Sequence, residues 1–295
     1  MSSSANPALA TPGDAPAGTR SPFMRTLRSV PVIIALAALA IMVIMALFAP
    51  WLHTIDPVQI DPTQRLKPPS AAHWLGTDAY GRDVYSRVVY GARVSLVVGL
   101  GVAAFSMVVG LAIGVAAGYF RWVDAIVMRI MDGLMAIPGV LLAIALVSLS
   151  GASLTTVLVA ITIPEVPRVV RLVRSVILSV RNEPYVEAAV ALGTPTFTLM
   201  LRHLVPNTMA PLIVQGTYIF ASAILTEAIL SFLGAGVPPE ISSWGNIMSE
   251  GRSYFQLIPG LVLYPGILLS LTVLSVNVLG DAMRDVLDPR MSRRL

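Results

Sequence analysis

The chain has 295 residues, of which 56% are hydrophobic and only 12% charged, with a mean hydropathy of +0.78. That charged share is about half the ~25% usual in soluble domains and leaves too little polar surface for water-soluble domains of this length, so the composition is that of an integral membrane protein. The net charge of +4 comes without a basic stripe interleaved with aromatics, which argues against a nucleic-acid partner, and the absence of cysteine excludes a disulfide framework, a thiolate nucleophile and a cysteine metal site.

Residues 1–29 are rich in Ser, Ala, Pro and Gly, carry Arg20, Arg25 and Arg28, and show no apolar period. They read as a flexible cytoplasmic tail. The apolar run at 30–52 has the length of a spanning helix rather than the ~7–15 residues of a signal-peptide core, which predicts an uncleaved first span. Residues 53–93 form an outer loop, where Asp78, Arg82 and Asp83 are placed to make a charged cluster against the second span. His73 lies beside them, but the spacing matches no ligand pattern, and no metal is expected.

Further apolar runs at about 94–119, 123–149, 154–170, 209–233 and 257–279 bring the total to six spans, an all-α polytopic membrane protein with both termini on one side. Of the 20 basic residues, Arg65, Lys67, Arg82, Arg87, Arg93 and Arg252 fall outside when the N-terminal tail is inside. The other 14 then lie in the tails and inner segments, so the positive-inside rule puts both termini in the cytoplasm. The second run carries Gly110, Gly114 and Gly118 on one helical face, suited either to packing within the bundle or to contact with a partner chain. Pro138-Gly139 and Pro164-Glu165-Val166-Pro167 predict kinked or broken helices, which line a pathway or serve as structural bends. Arg129 and Asp132, at i and i+3, are expected to pair with each other or with neighbouring backbone, with Asp124 and Glu165 at the interface. Glu227, inside the fifth run and near its outer end, is a candidate for helix tying or pathway lining, with proton coupling as the alternative.

Between the fourth and fifth runs lies RNEPYVEAAVALGTPTFTLMLRHLVPNTMAPLI, residues 181–213. Asn182 is placed to cap a short helix with Pro184 in its first turn, and Tyr185, Ala188, Ala189 and Leu192 share a face. Gly193 suits a left-handed C-terminal position, and Thr194-Pro195 restarts a second helix as N-cap and first residue. The product is a compact helix-turn-helix, with the segment 181–207 projecting into the cytoplasm.

Glu187-Ala188-Ala189, Gly193 and then His203-Leu204-Val205-Pro206 resemble the EAA signature of permease subunits in binding-protein-dependent ABC importers, with His203 where the broad consensus has isoleucine. Arg202 to Asn207, the outer-loop string through Gly76, Asp78, Gly81, Arg82 and Asp83, and the last segment from Gly280 to Arg290 are similar to the branch that imports dipeptides and oligopeptides. The resemblance implies a type I importer permease in a bacterial inner membrane. Its residues 94–283 would be the core and 284–295 a cytoplasmic tail. Glu187, Ala188, Ala189, Gly193, His203 and Pro206 would then form the coupling helix that docks on an ATP-binding subunit. Also implied are a second, non-identical permease, two ATPases that use ATP and Mg, and an extracytoplasmic solute-binding protein.

The only lysine is Lys67, so no glycine-rich loop ending in Lys-Ser/Thr is present and no ATP hydrolysis is expected of this chain. Nor does any nucleophile–base pair suggest a hydrolase. The reading is a non-enzymatic permease subunit; the alternative is a stand-alone secondary carrier that uses an intramembrane acid.

Overall fold

A computed structural model describes residues 29–287. The expected tails, apart from Ser29 and 284–287, lie outside the described residues. Helix α1 is Val30–Leu47, an 18-residue apolar helix with Pro31 in its first turn, where a missing N–H is harmless. Helix α2 is Val84–Tyr119, 36 residues. It begins ten residues before the expected apolar run, because the Asp83 carboxylate accepts the Ser86 N–H at 2.8 Å and starts the helix inside the expected loop.

Helices α3 (Arg121–Met135) and α4 (Gly139–Ser150) replace the single span expected at 123–149 and meet at 87°. The break falls at Ile137-Pro138, where proline lacks an N–H and pushes its predecessor out of helical backbone. Helix α5 is Leu154–Val180, started by Ser153, whose hydroxyl accepts the Thr156 N–H at 3.0 Å; it retains Pro164 and Pro167 in its interior. Then come α6 (Pro184–Ala191), α7 (Thr196–Leu199), a wide π-turn at Met200–Leu204, and α8 (Val205–Phe232). A short α9 (Trp244–Gly251) and the long α10 (Gly260–Leu287) complete the chain. Among the described residues there is no strand, only an isolated bridge between Thr77 and Asp83.

Four stretches are long and apolar enough to cross a membrane: α1, α2, the continuous 196–232 and α10; the bent α3–α4 pair makes a fifth if it is one span. Helix α5 has the length, about 40 Å at 1.5 Å per residue. It does not qualify by composition, since Glu165, Arg168, Arg171 and Arg174 interrupt its apolar character.

The closest helix pairing is α2 against α5. A Cβ built on Gly110, Gly114 or Gly118 would stand 2.5 Å from Val169, 2.7 Å from Val173 and 2.6 Å from Ile177, so all three glycines face α5 of the same chain. In an apolar medium helices associate through such close packing, and small residues one turn apart permit it. The seam is cross-braced at one end. Asp124 on α3 holds Arg174 on α5, with one contact of 2.7 Å, and Asp132 holds Arg171 at 2.6 Å. Asp132 therefore pairs across helices instead of with Arg129 on its own, because the α3–α5 crossing brings a guanidinium within direct reach of its carboxylate.

Gly114→Leu forces a branched side chain into the seam and is expected to destabilise the protein by about 1–3 kcal/mol or more. A thermal unfolding midpoint in detergent checks this. Gly133→Leu is the control expected to show little change, since a Cβ there meets nothing within 4 Å.

Candidate functional site

The segment from α6 to the start of α8 has two contrasting faces. Val186, Ala189, Leu199 and Leu204 are buried and anchor it on the bundle. Leu192, Phe197, Val190, Leu201 and Tyr185 are exposed, Leu192 to 86% and Phe197 to 72%, and Glu187 and Ala188 lie exposed beside them. The expected shared face therefore divides. Ala189 points inward, while Tyr185, Ala188 and Leu192 point outward.

Helix α6 is not capped by Asn182. Glu183 occupies the N-cap position without a side-chain bond, and the Asn182 amide turns back to the Leu178 carbonyl at 3.4 Å, finishing α5 instead. Gly193 takes φ +77°, the left-handed position, and the Thr194 N–H donates to the Ala189 carbonyl at 3.1 Å. The next helix starts one residue later than expected, with Pro195 as N-cap and Thr196 first, because the proline holds extended backbone (ψ 140°).

His203 sits in the π-turn just before Pro206, where a wider turn accommodates a proline that cannot donate. The Asn207 amide donates to the His203 carbonyl at 2.6 Å and to the Tyr185 hydroxyl at 3.1 Å. Asn207 and Tyr185 thus fix α6 to the head of α8, a tie that links residues 22 positions apart and leaves no signal in local spacing.

Inside the bundle, the α3–α4 break opens a cavity of about 380 Å³ whose lining includes Ile137, Pro138, Glu165, Arg168, Ser222 and Thr226. Glu165, expected at the interface, is instead buried well inside α5, 6% exposed. Its two carboxylate oxygens share a single Arg168 nitrogen, Nη1, at 3.2 Å each, and the Ser222 hydroxyl donates at 3.4 Å. Glu227 is fully buried elsewhere on α8: Ser231 and Ser243 both donate to its Oε1 at 2.8 Å, tying α8 to the start of α9.

At the opposite end of α2 from α6, the 53–83 loop is clamped by a largely buried ionic cluster. Asp78, 2% exposed, accepts from the Arg82 Nε at 2.7 Å and the Arg87 Nη1 at 2.6 Å. Both arginines also reach Glu250 on α9, Arg87 at 2.7 Å. Asp83 stands apart from this cluster and faces His73 at 3.0 Å while capping α2. Gly76 (φ +81°) and Gly81 (φ +76°) let the loop fold over; a Cβ on Gly81 would stand 1.8 Å from the Asp61 carbonyl. In the same loop, the Asp61 carboxyl is held below its ordinary pKa, first by the Thr63 hydroxyl and then by the Thr63 N–H. No local spacing points to Glu250 as a partner, since 163 residues separate it from Arg87. Among the described residues no group of three or more His, Asp or Glu side chains is placed to hold a metal.

A bundle of long apolar helices with buried charge is that of a multi-pass membrane protein. Residues 106–293 match the family described as "Binding-protein-dependent transport system inner membrane component", and 23–69 match the "N-terminal TM domain of oligopeptide transport permease C". The chain is 52% identical over 251 residues to the "Probable peptide ABC transporter permease protein y4tQ" of Sinorhizobium fredii, covering 85% of this chain and 86% of that one. It is 42% identical over 273 residues to the dipeptide transport system permease protein DppC of Alkalihalophilus pseudofirmus (92% and 90%). It is 38% identical over 253 residues to the glutathione transport system permease protein GsiD of Pectobacterium atrosepticum (85% and 84%). The chain belongs to the family of inner-membrane components of binding-protein-dependent ABC transport systems and is a multi-pass inner-membrane protein.

Arg87→Ala removes one of the two guanidinium groups that Asp78 and Glu250 share, leaves them with Arg82 alone, and is expected to cost up to about 3–5 kcal/mol, the range for breaking a buried pair. Limited proteolysis in the 53–83 loop, faster than wild type, reads the effect directly.

Proposed function

We propose that this chain is one permease subunit of an ABC importer for di- or oligopeptides, or a related small solute, and forms half of the translocation pathway. In this reading it crosses the membrane six times, with α3–α4 and α5 as spans and both termini cytoplasmic. A first helix at 30–52, an outer loop at 53–93 and a core at 94–283 make up the chain, flanked by cytoplasmic tails at 1–29 and 284–295. A second, non-identical permease completes the pathway, two ATP-binding subunits supply ATP and Mg chemistry, and an extracytoplasmic binding protein delivers the solute.

The observation that carries this reading is the apolar, water-exposed face of the α6–α7 turn on an otherwise anchored segment. Exposed apolar patches rimmed by polar groups mark interaction sites. Glu187 orients within the ATPase groove, Ala188 allows close approach, Ala189 seats the helix closely on the bundle, Gly193 makes the turn, and His203 and Pro206 shape the following helix. Closing of the ATPase dimer then moves α6 as a rigid body, and α5 and α8 carry that movement into the pathway. Glu227, tied to two serines, holds α8 to α9 instead of relaying protons.

Because the chain has no cysteine, Thr196→Cys gives a single label site. In inside-out vesicles, maleimide labelling at 196 is expected without the ATPase subunits and lost when they are co-expressed. Labelling reached only from the outer side would overturn the topology, and unprotected inside labelling would favour a carrier working alone. Gly193→Asp adds a side chain where left-handed backbone costs about 1–2 kcal/mol and puts a charge in a packed interface. Co-purification of the ATPases is expected to fall at least about tenfold, the equivalent of ~1.4 kcal/mol.

A further inference from the structure

The cavity at the α3–α4 break lies at half depth. Glu165 is about 16 Å along α5 from Leu154, and Ser222 about 15 Å from the Phe232 end of α8, at 1.5 Å per residue. Both helix ends lie on the side of the ionic clamp, so broken helix, acid and hydroxyls converge near the middle of a ~30 Å hydrocarbon layer.

A carboxylate at that depth is expensive unless it is firmly paired. The Glu165 pairing is loose. One nitrogen of Arg168 straddles both oxygens at 3.2 Å, and the arginine side chain is 55% exposed. Charge-assisted bonds settle near ~2.7–2.9 Å, and the same chain achieves 2.6 Å where Arg87 meets Asp78. An ionised carboxylate accepts about four bonds; Glu165 receives three long ones, two of them from the same atom. A purely structural pair has no reason to stay so open, with its cation turned out of the bundle and a cavity of about 380 Å³ beside it. That volume lies within the ~300–1,000 Å³ range of small-molecule sites.

We propose that this cavity is a transit site for the ammonium terminus of a passing peptide, with Glu165 as acceptor and Arg168 as the resident cation that the ammonium displaces. The proposal rests on the peptide-importer reading above. A zwitterionic peptide loses hydration as it enters an apolar passage, and a loosely satisfied carboxylate restores partners to its cationic end. The looseness also serves release, since a translocation site must hold its cargo weakly enough to let it go. The Ser222 hydroxyl then follows the carboxylate, and Ile137 and Pro138 form the apolar wall.

The experiment again uses the cysteine-free background. Ile137→Cys, 46% exposed and lining the cavity, is made in the assembled transporter. Its reaction rates with the ammonium reagent 2-aminoethyl methanethiosulfonate and the neutral methyl methanethiosulfonate are compared, each normalised to free cysteine. With Glu165 present the ammonium reagent is expected to react about tenfold faster, as a nearby unlike charge at an effective dielectric of ~20 permits. Glu165→Gln should bring the ratio to about one, and Glu165→Asp, which keeps the charge, should retain most of it. Millimolar trialanine should slow the reaction, and N-acetyl-trialanine should not. A ratio unmoved by Glu165→Gln, equal protection by both peptides, or no labelling at 137 by either reagent would overturn the proposal. The measurement needs no transport and reads charge and peptide protection at residue 137, so its failure is separate from failure of protection at residue 196.

Discussion

Everything in this bundle hangs on the seam where the glycine face of α2 packs directly on the branched side chains of α5. In lipid there is no hydrophobic force to press helices together, so the contact has to come from shape. Three glycines one turn apart on α2 accept Val169, Val173 and Ile177 of α5. That intimacy lets α5 carry Glu165, Arg168, Arg171 and Arg174 through the structure without falling away from its neighbours. It also aims the helix beyond: the Arg181 guanidinium donates to the Gly118 carbonyl at 3.3 Å, so α6 leaves the bundle from a point fixed on α2.

The chain handles polarity in opposite ways at its two ends. Around Asp78, Arg82, Arg87 and Glu250 it keeps full charges largely buried and satisfies them with one another. Around Leu192 and Phe197 it does the reverse and leaves large apolar side chains wet. The first arrangement is self-sufficient and stiffens the connection between the 53–83 loop and α9. The second is incomplete without a partner, which is why the proposed ATPase contact belongs there. Between them, the α3–α4 break, the two prolines of α5 and the carboxylate of Glu165 share one region of the interior.

Much of this is legible in the sequence, and the reasons differ by element. The apolar runs announce α1, α2, α8 and α10, because lipid-facing helices need length and little else. Pro138 announces a break, yet the right angle between α3 and α4 is a property of how they pack, not of the proline. Gly193 is readable because left-handed backbone leaves few choices of residue. The caps of both short helices fall one position later than spacing puts them, because the Asn182 amide turns back to the Leu178 carbonyl and Pro195 holds extended backbone. The partnerships of Arg87 with Glu250, Asp132 with Arg171 and Asn207 with Tyr185 are illegible for a simpler reason. They join different helices, and periodicity along one helix carries no information about its neighbour.

The 36 residues of α2 make a rod of about 54 Å, well beyond the ~30 Å of hydrocarbon it has to cross. One end meets α5 beside the root of α6, and the other is bolted through Asp83 and Arg87 to the loop and to α9. A single helix that joins both ends moves them together. A tilt of only about 5° swings its far tip by about 5 Å, roughly one helical turn. In the proposed importer, movement at the α6 end would be carried to the clamped end by one continuous helix, with no chain of small adjustments needed in between.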